Sequence, residues 1–105
     1  MSDSYLKREF HYFVLTDYEI EEEYLRRMHN NGYKFVKVTL PGFYYFEPCE
    51  PEDVVYKLDF NPKSDLDQQS YIQMYKDYGW EYLQDMNEYS YFRKRAADTK
   101  NQDDL

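Results

Sequence analysis

Residues 71–94 read YIQMYKDYGWEYLQDMNEYSYFRK, and this stretch decides the fold. Tyr71, Ile72 and Tyr75 recur at helical spacing, and Gly79 supplies the left-handed residue that closes a helix. Residues 80–86 and 89–94 then read as two strands rich in aromatics, joined around Asn87-Glu88. The unit is a helix, a glycine and a pair of strands.

The same grammar occurs earlier, in residues 24–46, YLRRMHNNGYKFVKVTLPGFYYF. With Gly32-Tyr33 set over Gly79-Trp80, Tyr24 falls on Tyr71, Leu25 on Ile72 and Met28 on Tyr75 without a gap. Phe35-Val36 falls on Tyr82-Leu83, and a one-residue slip brings Tyr45-Phe46 onto Tyr91-Phe92. Upstream of each helix lies a strand-like run, 10–15 (FHYFVL) and 54–60 (VVYKLDF). A similar slip sets Phe10, Tyr12 and Val14 against Tyr56, Leu58 and Phe60.

The first helix has Thr16 or Asp17 as its expected cap, with Glu19 reaching back. The acids at 19 and 21–23 sit where the helix dipole favours negative charge. Its apolar stripe reads Ile20, Tyr24 and Met28, with Leu25 beside them. Asn61-Pro62-Lys63-Ser64 leads to the second helix, with Asp65 and Asp67 in its first turn. Between the halves, residues 48–53 (PCEPED) resemble a linker.

The expected fold class is therefore α+β: two strand-helix-strand-strand repeats forming a mainly antiparallel sheet with two helices on one face. The halves are 10–47 and 54–95 of a single domain, 1–105. Residues 1–7 read as a frayed lead-in, and residues 96–105 as a polar, disordered tail.

Composition narrows the function classes. The chain of 105 residues carries 14 tyrosines and a net charge of −8. That charge argues against direct binding to nucleic acid or to an anionic membrane, both of which need basic surface. One cysteine, Cys49, forbids an intrachain disulfide, and the first ten residues lack the apolar run of a secretion signal. No stretch is apolar enough for a membrane helix, so the expected location is cytoplasmic.

Enzyme chemistry finds no foothold. His11 and His29 have no ligand spacing to each other or to Cys49, so neither a metal nor another cofactor is expected. No glycine-rich loop offers a phosphate cradle, and no serine sits in a nucleophile elbow. Cys49, in an acidic proline-rich loop, should have a raised pKa. The reading is non-enzymatic.

Gly32-Tyr33, Tyr45-Phe46, Pro51 followed by residues 56–60 (YKLDF), Gly79-Trp80-Glu81 and Tyr91-Phe92-Arg93-Lys94 together resemble the bacterial family called domain of unknown function 2812. The likeness spans residues 10–95. It implies an origin among Firmicutes, genes often beside PadR-type transcriptional regulators, and membrane helices after this domain in longer members. It brings no catalytic residues. Here only a polar tail follows Arg93-Lys94-Arg95, a cluster that reads as a solvated strand end. The duplicated unit is also similar in architecture to gyrase-inhibitor-like effector-binding domains, some of which hold lipophilic cations between aromatic rings and a buried acid.

Two binding roles follow. The leading one is a sensing or regulatory module that takes a small aromatic or cationic molecule on an aromatic sheet face between the halves. Its candidate contacts are Tyr56, Asp59, Trp80 and Tyr82. Asp59 stands in an aromatic strand and could hold a cation, although isolated strand acids are more commonly solvated, here beside Lys57, or cap the nearby connector. The rival is a protein-interaction domain that docks a PadR-type regulator, or forms a homodimer, through the same face and the acidic loop 50–53. An acidic mimic of DNA fits the charge but not the wealth of strand tyrosine.

Overall fold

The computed structural model describes residues 7–62 and 67–99. Its elements run β1 (Lys7–Phe10), α1 (Tyr18–Asn30), β2 (Tyr33–Thr39), β3 (Phe43–Pro48), β4 (Val54–Phe60), α2 (Gln68–Asp77), β5 (Glu81–Met86) and β6 (Tyr89–Arg95). Short 3-10 turns lie at Leu15–Asp17 and Ala96–Asp98. The fold is α+β, with strand-helix-strand-strand occurring twice.

The two halves agree down to their irregularities. Gly32 and Gly79 close the helices at φ of 96° and 94°. Their N–H groups donate to His29 and Lys76 carbonyls three residues back. Each second strand carries a break in register at the same place, between Phe35 and Lys37 in β2 and between Tyr82 and Gln84 in β5. Each helix ties itself to its first strand by a tyrosine–carboxylate bond. Tyr24 donates to Glu9 at 2.6 Å, and Tyr71 donates to Asp59. Phe10 and Phe60 pair with Phe43 and Tyr89, the residues that open β3 and β6. Phe10 therefore corresponds to Phe60, and Glu9 to Asp59, four residues from the upstream match expected from sequence.

The first strand also lies earlier than the run 10–15. The ladder ends where His11 N donates to Gly42 O at 3.0 Å, after which residues 11–14 leave the sheet. His11 and Phe13 then turn under Tyr24 and Tyr44, while Tyr12 and Val14 face out. β-propensity in that run gave way to packing against α1. The apolar groups on both faces of residues 10–15 suggest a strand inside the sheet, but β1 is a sheet edge.

The strands divide into two antiparallel sheets, β1-β3-β2 and β4-β6-β5, rather than one of six. Their neighbouring edges, β2 and β5, are joined by a side chain. Gln84 accepts from Val38 N at 3.0 Å and donates to Val38 O at 3.1 Å. Both edges carry a bulge beside this point, and bulges interrupt a ladder and increase local twist. A flexible amide bridges what two displaced backbones do not.

The main core joins the halves. Tyr24, Leu25 and Met28 of α1 pack with Phe35, Val38, Tyr44 and Phe46 of the first sheet and with Val54, Tyr56, Leu58 and Tyr91 of the second. Each fully buried side chain of this size contributes about 1.5–3 kcal/mol. Helix α1 also seals the open edge of β4. Glu22 accepts from Leu58 N at 2.8 Å, and Arg26 clasps Asp53 at 2.6 and 2.8 Å. The opposite face of the second sheet is covered by α2, where Tyr75 stacks on Phe92 at 4.1 Å and Trp80 packs beside them. The helices thus flank opposite faces of the second sheet instead of sharing one.

Caps differ in detail from expectation. Asp17 precedes α1, but its carboxylate accepts from Val14 N, closing the 3-10 turn. Asp67 caps α2 by accepting from Gln69 N at 3.1 Å. The expected cap at Ser64 and most of the expected lead-in (1–7) and tail (96–105) lie outside the described residues, but Lys7 opens β1 and Ala96–Asp98 form a 3-10 turn instead of a disordered tail. No helix among the described residues is long and apolar enough to cross a membrane.

Candidate functional site

The four residues singled out from sequence do not converge. Tyr56 is buried in the main core, on the α1 side of the second sheet. Trp80 and Tyr82 lie on the α2 side, against Tyr75 and Phe92. Asp59 is occupied by the Tyr71 hydroxyl, and Tyr82 donates to Asp85 at 3.0 Å. Alternation along β4 sends Tyr56 and Asp59 to opposite faces, so no single cleft holds both. Trp80 Nε1 is buried without a hydrogen-bond partner among the described residues. The strand end Arg93-Lys94 is also not solvated: both side chains are buried, and only Arg95 is exposed.

An aromatic cleft with an acid does form between the halves, from other residues. Its volume is about 520 Å³, and it is lined by Phe13, Tyr44, Met86, Tyr91 and Glu21, with Tyr12 and Leu40 at the rim. The first half supplies Glu21 and Tyr44 from α1 and β3. The second supplies Met86 and Tyr91 from β5 and β6. Glu21 is only 7% exposed. Its Oε2 accepts from Tyr44 at 2.7 Å and from Tyr91 at 2.5 Å. Its Oε1 takes no hydrogen bond from any described residue. Burial holds the Glu21 pKa above the ordinary carboxyl value, and the two hydroxyls offset part of that rise. The same burial, with the carboxylate beside them, pushes the phenols of Tyr44 and Tyr91 far up, so both remain donors.

Local sequence explains why this acid is inside. Glu21 lies three, four and seven residues before Tyr24, Leu25 and Met28, on the buried stripe of α1. Ile20, expected in that stripe, is 60% exposed. The acidic run 21–23 has an ample explanation in the helix dipole, which hid its one inward-facing member. Counting helical spacing from Leu25 and Met28 toward the N-terminus would have found it.

Two further cavities lie elsewhere on the described surface, the first of them next to this cleft. One of about 380 Å³ lies across His11 and Phe13, bounded by Ile20, Glu23 and Arg27. The other, about 390 Å³, is polar and lies where β2, β5 and β6 approach the end of α1, with His29, Lys34, Glu81 and Arg93 on its walls. None of the three cavities is lined by Tyr56, Asp59, Trp80 or Tyr82. Cys49 borders the polar groove, and burial raises its thiol pKa, away from a reactive thiolate. No group of three or more His, Cys, Asp or Glu side chains among the described residues is arranged to hold a metal.

No curated protein and no solved structure matches the chain. The family model described as protein of unknown function (DUF2812) matches residues 17–105, which include both helices and, of the cleft, Glu21, Tyr44, Met86 and Tyr91 but not Phe13. The chain belongs to the DUF2812 family.

Proposed function

We propose that the chain is a non-enzymatic sensing or regulatory module that binds a small aromatic cation in the cleft between its halves. One observation carries this reading: a buried carboxylate, Glu21, half-satisfied by two tyrosine hydroxyls inside an aromatic cleft. Rings of Phe13, Tyr44 and Tyr91 offer negative faces to a cation, and a desolvated carboxylate supplies the opposite charge. The free Oε1 leaves Glu21 able to take one more partner. The ligand class expected from sequence, a small aromatic or cationic molecule, is narrowed to one that is both, and the acid that holds it moves from Asp59 to Glu21.

Tetraphenylphosphonium and tetraphenylborate test it, since they share a shape and differ in charge. A site-specific ligand at one hundred times its dissociation constant adds about 2.7 kcal/mol to unfolding. The phosphonium should raise the melting temperature, the borate should not, and Glu21→Gln should abolish the difference. Equal shifts from both ions, or a shift that survives Glu21→Gln, would remove the cation reading.

A second reading, a protein-docking face, is favoured by the cleft rim, where Tyr12 is 73% and Leu40 68% exposed. It predicts concentration-dependent association, or capture of a PadR-type regulator, that Tyr12→Ser with Leu40→Ser eliminates. Sedimentation and pull-down with the purified regulator would decide it.

A further inference from the structure

We infer that the polar groove at the end of α1 is a second binding site, one that takes a small carboxylate. It shares no lining residue with the Glu21 cleft.

The groove's inner wall is a buried hydrogen-bonded chain whose proton order can be worked out. His29 is 6% exposed, and its Nδ1 lies 2.7 Å from the Tyr56 hydroxyl. That hydroxyl oxygen also receives Arg93 Nη1 at 3.3 Å and Phe35 N at 3.4 Å. Both of those groups can only donate. A hydroxyl has one proton and two lone pairs, so Tyr56 must give its proton to His29 Nδ1. His29 is therefore neutral, with its own proton on Nε2. Burial, and the charge of Arg93 nearby, act in the same direction by lowering the His29 pKa. Nε2 bonds to no described residue, yet it is not sealed from solvent; the groove is its outlet.

Most other charges on the groove are already matched. Arg93 holds Glu81 at 2.9 and 3.2 Å. Arg95 reaches Glu52 at 3.2 Å and Asp98 at 3.6 Å. Lys94 donates to Tyr78 O at 2.6 Å, and the His29 carbonyl accepts from Gly32 and Glu52. What remains is a fixed N–H from His29 and the ammonium of Lys34, which has no hydrogen bond or ion pair among the described residues. Both donors line the same groove, and a carboxylate offers two oxygens to accept from them. Glu50, Glu52 and Glu81 around them disfavour a more highly charged anion such as phosphate.

The test is long-range ¹H–¹⁵N imidazole NMR of the full chain, titrated with sodium benzoate, sodium chloride or sodium phosphate at matched ionic strength. The free protein should show His29 protonated on Nε2 at neutral pH. Benzoate should shift that resonance saturably while His11, outside the groove, stays put. Lys34→Gln should weaken the midpoint about tenfold, the loss of one charge-assisted hydrogen bond. Glu21→Gln should leave it unchanged, which separates this site from the cation cleft. A proton on Nδ1, an unmoved His29, an equal shift with chloride or phosphate, or an unaltered midpoint in Lys34→Gln would each overturn the assignment.

Discussion

Removing the hydroxyls that hold Glu21 should reveal how much the buried acid depends on them. Tyr44 and Tyr91 both donate to the same oxygen, at 2.7 and 2.5 Å, and all three side chains are buried, so solvent does not dilute the effect. A hydrogen bond to a charged group contributes roughly 1.5–3 kcal/mol, against roughly 0.5–1.5 for a neutral pair. Tyr44→Phe and Tyr91→Phe should therefore each cost about 2 kcal/mol at pH 7. For a domain near this size, that lowers the melting temperature by about 8–16 °C. The double variant should cost less than the sum, because a carboxylate stripped of both donors takes up a proton and so limits its own penalty. In a Glu21→Gln background each tyrosine change should fall to about 1 kcal/mol. Urea denaturation at fixed ionic strength measures the wild type and all six variants. Costs below about 0.5 kcal/mol that do not depend on Glu21 would refute the reasoning, since the acid would then be solvated and the cleft would lose its anchor.

Three other outcomes are expected. Glu21 has a raised pKa in the fold, so the native state holds that proton more tightly than the unfolded chain. Stability should fall as pH rises from the ordinary 4.5 through the folded value, and Glu21→Gln should flatten that part of a stability–pH curve, leaving the same-signed share of Glu22. Gln84→Ala leaves the N–H and C=O of Val38 without their bridge and should cost about 1–3 kcal/mol, with faster hydrogen exchange at Val38 than at Phe46. Gly42→Ala would place a Cβ 2.2 Å from the His11 carbonyl, so it should separate residues 11–14 from the β2–β3 turn and abolish the response to tetraphenylphosphonium. Circular dichroism would check that the domain remains folded.

How much of this was legible in the chain follows from how far each feature reaches. The repeat was readable because it is written in local terms: helix spacing, Gly32 and Gly79 where φ must be positive, and aromatic strands after each. Those preferences act over a few residues and hold wherever the segment lies. Even the bulges fall at matched positions, and residues 54–60 form β4 as expected. The family followed from the same residues.

Which faces met, and hence which residues form the site, was decided by tertiary packing. A strand residue's side is fixed only relative to its neighbours, and nothing in residues 54–60 says that α1 covers Tyr56 while α2 covers Asp59. Residues 11–14 have strand propensity but meet no strand partner, because Gly42 ends the ladder at His11. Glu21 belongs to an acidic run that solvent and the helix dipole explain, until Tyr44 and Tyr91 arrive from two other strands, the second 70 residues away. The helix-strand-strand units and the glycines that close their helices were written in the chain, because those energies are local. Only the tertiary structure decided where the charge is buried, because desolvation belongs to the whole assembly around a group.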